Sequence, residues 1–200
     1  LSEGDVQPEM LDLEADPFDP PTAAEVELEP TGDFAFIRYQ GEDLIQVVDL
    51  WTGELSWLVV GNEPTDMDLS PDGTELLVVA RGSGELRTFD AAAPEPDPRP
   101  CAEADNCMEL PSTETIGSLS MAPVGDVALL YTTAAPTDRV TVWDRATDEL
   151  TVRRLEKPVA QVIMAPDGES MVVVHSLADV PDESDIYSDH HVITIVTIED

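Results

Sequence analysis

The chain has 200 residues, with 43 acidic side chains against nine basic ones and a formal net charge of −34 at pH 7. That balance excludes nucleic acid as a ligand, because phosphate binding needs a cationic footprint, and it disfavours anionic membrane surfaces. No apolar run approaches the ~20 residues of a membrane-spanning helix, while 42% hydrophobic residues suffice for the core of one domain. Lys157 is the single lysine beside eight arginines. Acid excess with scarce lysine fits a chain kept soluble in high salt or at a bacterial surface. It fits equally an all-β chain kept monomeric by acidic loops.

Residues 1–24 are acidic and proline-rich and read as a disordered or loosely packed lead-in. The first residue is Leu1, so a signal peptide or other upstream sequence is expected to have been removed. The lead-in would suit a tether to a lipid anchor attached upstream of Leu1.

From residue 25 one phrase recurs four times: alternating residues, then Pro-x-Gly, then a β-branched and apolar run. Its glycines are Gly32, Gly73, Gly125 and Gly168, in steps of 41, 52 and 43 residues. A period near 40 built from short strands is the signature of a β-propeller blade. The units run over about 25–61, 62–112, 113–157 and 158–200. The first strand of each is expected to end at Leu28, Leu69, Met121 and Met164. Its alternate positions Glu27, Asp68, Ser120 and Ile163 would line a central channel. Second strands follow each turn (FAFIRY, LLVVA, VALLY, MVVV), apolar on both faces as packed neighbours require.

Third strands end in Asp49, Asp90, Asp144 and Asp200. An Asp with Thr three residues later bonds its own turn backbone, so these recurring aspartates read as turn-makers and not as catalysts. Fourth strands are LSWLVV in the first unit and LTVRRLE in the third. The fourth unit stops after its third strand, and rings avoid exposed edges by closing. The chain is therefore expected to be part of a larger ring of about seven blades, with remaining blades of the same chain as its partners. Alternatively, residues 1–20 donate a strand and close a small ring.

Two insertions break the period. The first, 91–114, holds the only cysteines, Cys101 and Cys107. Six positions apart in a loop, they read as a local disulfide, which implies an oxidising compartment. Half a metal site is the competing reading, and the further ligands it needs are absent nearby. The second insertion, 176–191, gathers Asp182, Asp185, Asp189, His190 and His191. Carboxylates with imidazoles can take calcium or a transition metal. Their spacing matches neither a calcium loop nor a helical zinc site, so a solvated loop is the favoured reading. No nucleophile elbow, phosphate loop, haem or flavin motif is present, and no cofactor is expected unless calcium binds that loop.

The Ser-Pro-Asp-Gly turn, the strand ending in Val-x-Asp and the Thr-Gly-Glu hairpin resemble the YVTN and WD40-like β-propeller repeats of bacterial surface and periplasmic proteins. The resemblance covers roughly residues 25–200. It implies an all-β propeller of four-stranded antiparallel blades, located outside the cytoplasm and acting as a binding platform for a protein or small ligand without catalysis. The alternative it implies is a channel-centred, metal-dependent hydrolase of the lactonase type, with Glu27 and Asp68 as its channel acids.

Overall fold

The structure, a computed structural model, describes residues 22–111, 115–176 and 192–198. Four antiparallel sheets follow one another along the chain. The first holds β1 (Ala23–Leu28), β2 (Phe34–Tyr39), β3 (Leu44–Asp49) and β4 (Leu55–Val59). The second holds β5 (Pro64–Leu69), β6 (Glu75–Ala80), β7 (Glu85–Asp90) and β8 (Cys107–Glu109). β9 (Ser118–Met121), β10 (Val127–Tyr131), β11 (Arg139–Asp144) and β12 (Glu149–Arg154) make the third. β13 (Val159–Met164), β14 (Ser170–His175) and β15 (Ile193–Thr197) make the fourth, which has three strands among the described residues. Within each sheet the strands pair in chain order, the meander of a propeller blade.

The second strand of each blade is apolar on both faces because both faces are covered. Phe36, Ile45, Val47 and Leu58 of the first sheet pack on Met67, Leu76, Val78 and Phe89 of the second. Leu77, Val79 and Leu86 on the other face of that sheet pack on Leu119, Met121, Leu130 and Trp143 of the third. Leu129 and Val140 then meet Val162, Met171 and Val173 of the fourth. Period-2 alternation thus sends successive residues of one strand into two different cores.

The Pro-x-Gly turns stack on one another across blades. Gly73 has φ +70°, and a Cβ there would overlap the ring of Pro30, from the turn of the preceding blade. Gly168 repeats the arrangement against Val124, whose carbonyl oxygen lies 2.7 Å from the position a Cβ would take. Gly32, in the first turn, has φ +78° and no such neighbour. Gly125, in the third turn, has φ +82° and likewise nothing within 4 Å, so the phrase reverses the chain in every unit and seats one blade on the next at two of the three junctions.

Third-strand aspartates organise the β3–β4 and β11–β12 turns and the exit from β7. Asp49 Oδ1 accepts from Trp51 N at 2.8 Å and Thr52 N at 2.9 Å. Asp90 accepts from Ala92 N and Ala93 N, and Asp144 from Ala146 N and Thr147 N. These hydrogen bonds hold the Asp49 and Asp144 carboxyls below the usual carboxylate range.

The 91–114 insertion departs from a free loop. Its end forms β8, the outer strand of the second blade, with Arg87 opposite Cys107 and Leu86 opposite Met108. Cys101 and Cys107 are joined as a disulfide. The buried Arg87 guanidinium donates to Asp97 O at 3.1 Å and Arg99 O at 2.8 Å, tying the rest of the insertion to β7. The extra length of this unit is thus a detour between its third and fourth strands.

Gly73→Ala is expected to cost both the left-handed penalty of about 1–2 kcal/mol and an overpacking term of about 1–3 kcal/mol, while Gly32→Ala costs the first alone. Urea denaturation of the two variants measures the difference, and equal losses would contradict the stacked-turn account. Reducing the disulfide, which closes a short loop, should remove about 2 kcal/mol of stability. Cys101→Ser, read by the same denaturation, checks it.

Candidate functional site: the inner-strand carboxylates

An innermost strand has one ladder neighbour, so alternate N–H groups along its other edge lack a strand partner. In this chain the preceding blade supplies acceptors for them. Glu25 Oε2, on β1, accepts from Met67 N of β5 at 3.2 Å. Asp66 Oδ2 and Asp68 Oδ2, on β5, accept from Leu119 N at 2.7 Å and Met121 N at 2.8 Å of β9. At the next junction the Tyr131 hydroxyl oxygen accepts from Val162 N of β13. The acids on the first two inner strands are followed at the same positions by Ser118 and Ser120, then by Gln161 and Ile163.

Crowding into a half-buried row raises the proton affinity of Glu27, Asp66 and Asp68. Burial pushes Glu27 up to about 7, with the Asp68 and Glu25 charges adding to it. Burial also lifts Asp66 to about 7; the Leu119 N–H opposes the rise, and the Glu25 charge and a hydrogen bond shared with Glu25 assist it. Asp68 moves up through burial, against the Met121 and Leu69 N–H groups. Arg38 is the compensating cation: its Nε donates to Glu25 Oε2 at 2.9 Å and its Nη1 to Pro64 O at 3.3 Å. The turn carboxyl of Asp72 behaves oppositely. Its hydrogen bonds from the Ser70 hydroxyl and from Thr74 hold it at about 2.

The structure brings Glu27 and Asp68 into one electrostatic cluster and adds Glu25 and Asp66, which sequence reasoning did not single out. Their signal was present as Glu-x-Glu and Asp-x-Asp, the period-2 spacing that places two acids on one side of a strand. Tyr131 carried no signal, because its role depends on which blade follows. Asp49, Asp90 and Asp144 lie at the ends of the third strands, outside this row. Asp182, Asp185, Asp189, His190 and His191 lie outside the described residues. His175 is buried in the fourth sheet, with Nδ1 3.0 Å from Lys157 O and Nε2 2.7 Å from Thr194 Oγ1, a pairing met by the neutral Nδ1–H tautomer. Among the described residues, the one convergence of three metal-type donors is Glu85 with Cys101 and Cys107. Those sulfurs are bonded to each other and do not form a ligand set.

A second set of features lies on the end of the blades that carries the Pro-x-Gly turns and the β3–β4 and β11–β12 turns. Antiparallel order puts these turns on one face, and Trp51 Nε1 donates to Asp33 Oδ1 at 2.5 Å across it. Trp51 is 82% exposed and its neighbour Leu50 is exposed too, as is Val124 on the corresponding face of the third blade. Two interblade grooves open here. One, about 290 Å³, lies between the second and third blades and is lined by Glu75, Asn106, Trp143 and Arg145. The Arg145 guanidinium lies 5.7 Å over the Trp143 ring and pairs with Glu75. The other, about 650 Å³, lies between the third and fourth blades.

No protein-family model and no curated protein matches this sequence. Solved structures do. The chain is similar to hydrazine synthase from Kuenenia stuttgartiensis, with a TM-score of 0.66, 16% identity, 97% of this chain covered and 49% of that one. It is also similar to a chain in the crystal structure of the mitotic checkpoint complex, with a TM-score of 0.56, 12% identity and coverage of 76% and 48%. It spans about half the length of both. At such identities the likeness is one of fold. Both neighbours are propeller-type folds, and this chain is an all-β propeller arc.

A carboxyl whose pKa is raised by folding stabilises the fold in its protonated form. That contribution is full below its unfolded value and fades as pH rises through the folded one. For Glu27 and Asp66 the fading window is centred near 7. The melting temperature is therefore expected to rise from about pH 8 down to about pH 5. Asp66→Asn keeps an acceptor for Leu119 N and should flatten that rise. Thermal scans across the range test it, and an unchanged slope in the variant would contradict the assignment.

Proposed function

We propose that this protein is a non-catalytic, extracytoplasmic β-propeller of the WD40-like type that serves as a binding platform for a protein or small ligand. In this reading its four sheets form an arc of a larger ring. The observation that carries the reading is a division of labour. Three of the four inner-strand carboxylates, Glu25, Asp66 and Asp68, are engaged in holding the edge of the next blade, while the turn face offers exposed Trp51 and Leu50 and two interblade grooves. Aromatic side chains such as Trp51 are frequent anchors of recognition, and concave grooves are where ligands are held. The Cys101–Cys107 disulfide supports an oxidising compartment.

Two measurements test this. A photo-crosslinking residue in place of Trp51, in the protein's native cells, is expected to trap a discrete partner. A crosslinker in place of the buried Phe36 should not. Hydrolysis of a lactone and ester panel with calcium or zinc added is expected to show no turnover that depends on the channel acids. Turnover lost in both Glu27→Gln and Asp68→Asn would overturn the platform reading.

A further inference from the structure

Three buried side-chain polar atoms have no hydrogen-bond partner among the described residues: Thr65 Oγ1, Asn106 Oδ1 and Arg145 Nε. Two of the three belong to one groove, the opening of about 290 Å³ between the second and third blades, which Asn106 and Arg145 both line. Each of these residues is fixed by its other contacts. The Asn106 carbonyl accepts from Thr88 N at 2.9 Å, and the next residue, Cys107, is held in the disulfide. Arg145 N donates to Asp126 O at 2.8 Å, its Nη2 pairs with Glu75, and its guanidinium lies over the Trp143 ring. That leaves an Nε–H donor from the third blade and an Oδ1 acceptor from the second, both desolvated, with no protein group to answer either.

The chemistry of the groove narrows what can answer them. Glu75, Asp105 and Asp148 line it beside Arg145, so its formal charge is negative and a carboxylate or phosphate is repelled. Trp143 is 6% exposed with the guanidinium over its ring, which leaves no face for a sugar or nucleobase to stack on. A peptide main chain has the matching pair, a carbonyl acceptor and an N–H donor, and brings no charge. A second groove of about 550 Å³ shares Glu75, Thr88, Asp105 and Asn106 with the first and gives length for flanking residues. We propose that Asn106 and Arg145 form a binding site for a peptide segment of neutral or positive charge. One main-chain carbonyl accepts from Arg145 Nε–H and one main-chain N–H donates to Asn106 Oδ1. This rests on the platform reading and gives it a site and a ligand class. The surrounding carboxylates favour lysine or arginine at the flanking positions.

The probe is N-acetylalanine N-methylamide, titrated into the whole 200-residue protein and followed by proton–nitrogen correlation NMR. The Arg145 Nε–H and Trp143 Nε1–H resonances are expected to shift together and saturate with a Kd of about 1–10 mM, the scale for a ligand of this size. The corresponding diester, methyl O-acetyllactate, keeps both carbonyls but has no N–H, and should bind about tenfold more weakly. N-acetyllysine N-methylamide should bind more tightly than the alanine probe, and its aspartate analogue more weakly. Arg145→Lys keeps the charge and removes the Nε–H, and Asn106→Leu removes the acceptor; each should cost about tenfold, while Asn106→Asp, which keeps an acceptor, should not. Equal affinity for diamide and diester, a comparison that needs no variant to fold, overturns the peptide assignment. A titration that shifts neither resonance overturns the site itself. If a partner is still trapped at Trp51 in that event, the platform reading stands and only this inference falls.

Discussion

An unpaired strand edge is the constraint on which this fold turns. Every innermost strand carries N–H groups that its own sheet cannot satisfy, and leaving them buried without acceptors costs about 1–3 kcal/mol each. The chain answers with side chains from the blade before: Glu25 for Met67, Asp66 for Leu119, Asp68 for Met121 and Tyr131 for Val162. The same solution gathers negative charge at the first two inner strands. The raised pKa values of Asp66 and Asp68 are therefore a by-product of holding blades together, and Glu27 rises beside them through burial and the Asp68 and Glu25 charges.

That origin bears on function. Strongly shifted carboxyls in a channel often mark catalysis, but ion-pair and hydrogen-bond networks shift pKa values as well. Here Asp66 and Asp68 each have a backbone partner that accounts for their position, while the rise at Glu27 comes from burial and from the neighbouring Asp68 and Glu25 charges. On the turn face the Trp51 indole is 82% exposed and is held by its N–H on Asp33 Oδ1.

Much of the fold could be read from residues alone, because local signals and burial agreed. The Pro-x-Gly turns and the apolar second strands located β1 to β3, and the same grammar located their equivalents in every unit, down to ends at Leu28, Leu69, Met121 and Met164. The outer strand β8 was hidden. Cys-Met-Glu is too short and polar to announce a strand, and it forms one because β7 and the disulfide present it with a ladder. Val26 and Leu28 stand exposed although Met67 and Leu119, the counterparts of Val26, are buried, since burial depends on a neighbouring blade and not on the strand's own pattern. For the acids, sequence showed alternation but not destination. Whether a carboxylate hydrates a channel or caps a backbone edge is decided by what lies across the junction.

The stacked turns have a consequence for how such a chain can grow. Pro30 supplies the surface on which Gly73 rests, and Val124 does so for Gly168, so the first and third units seat the turns of the second and fourth. A stretch of gene that encodes one unit can be duplicated in tandem, and the new copy arrives already fitted to both neighbours. Drift then acts on what the fit does not use, which is where the four copies of this phrase differ most.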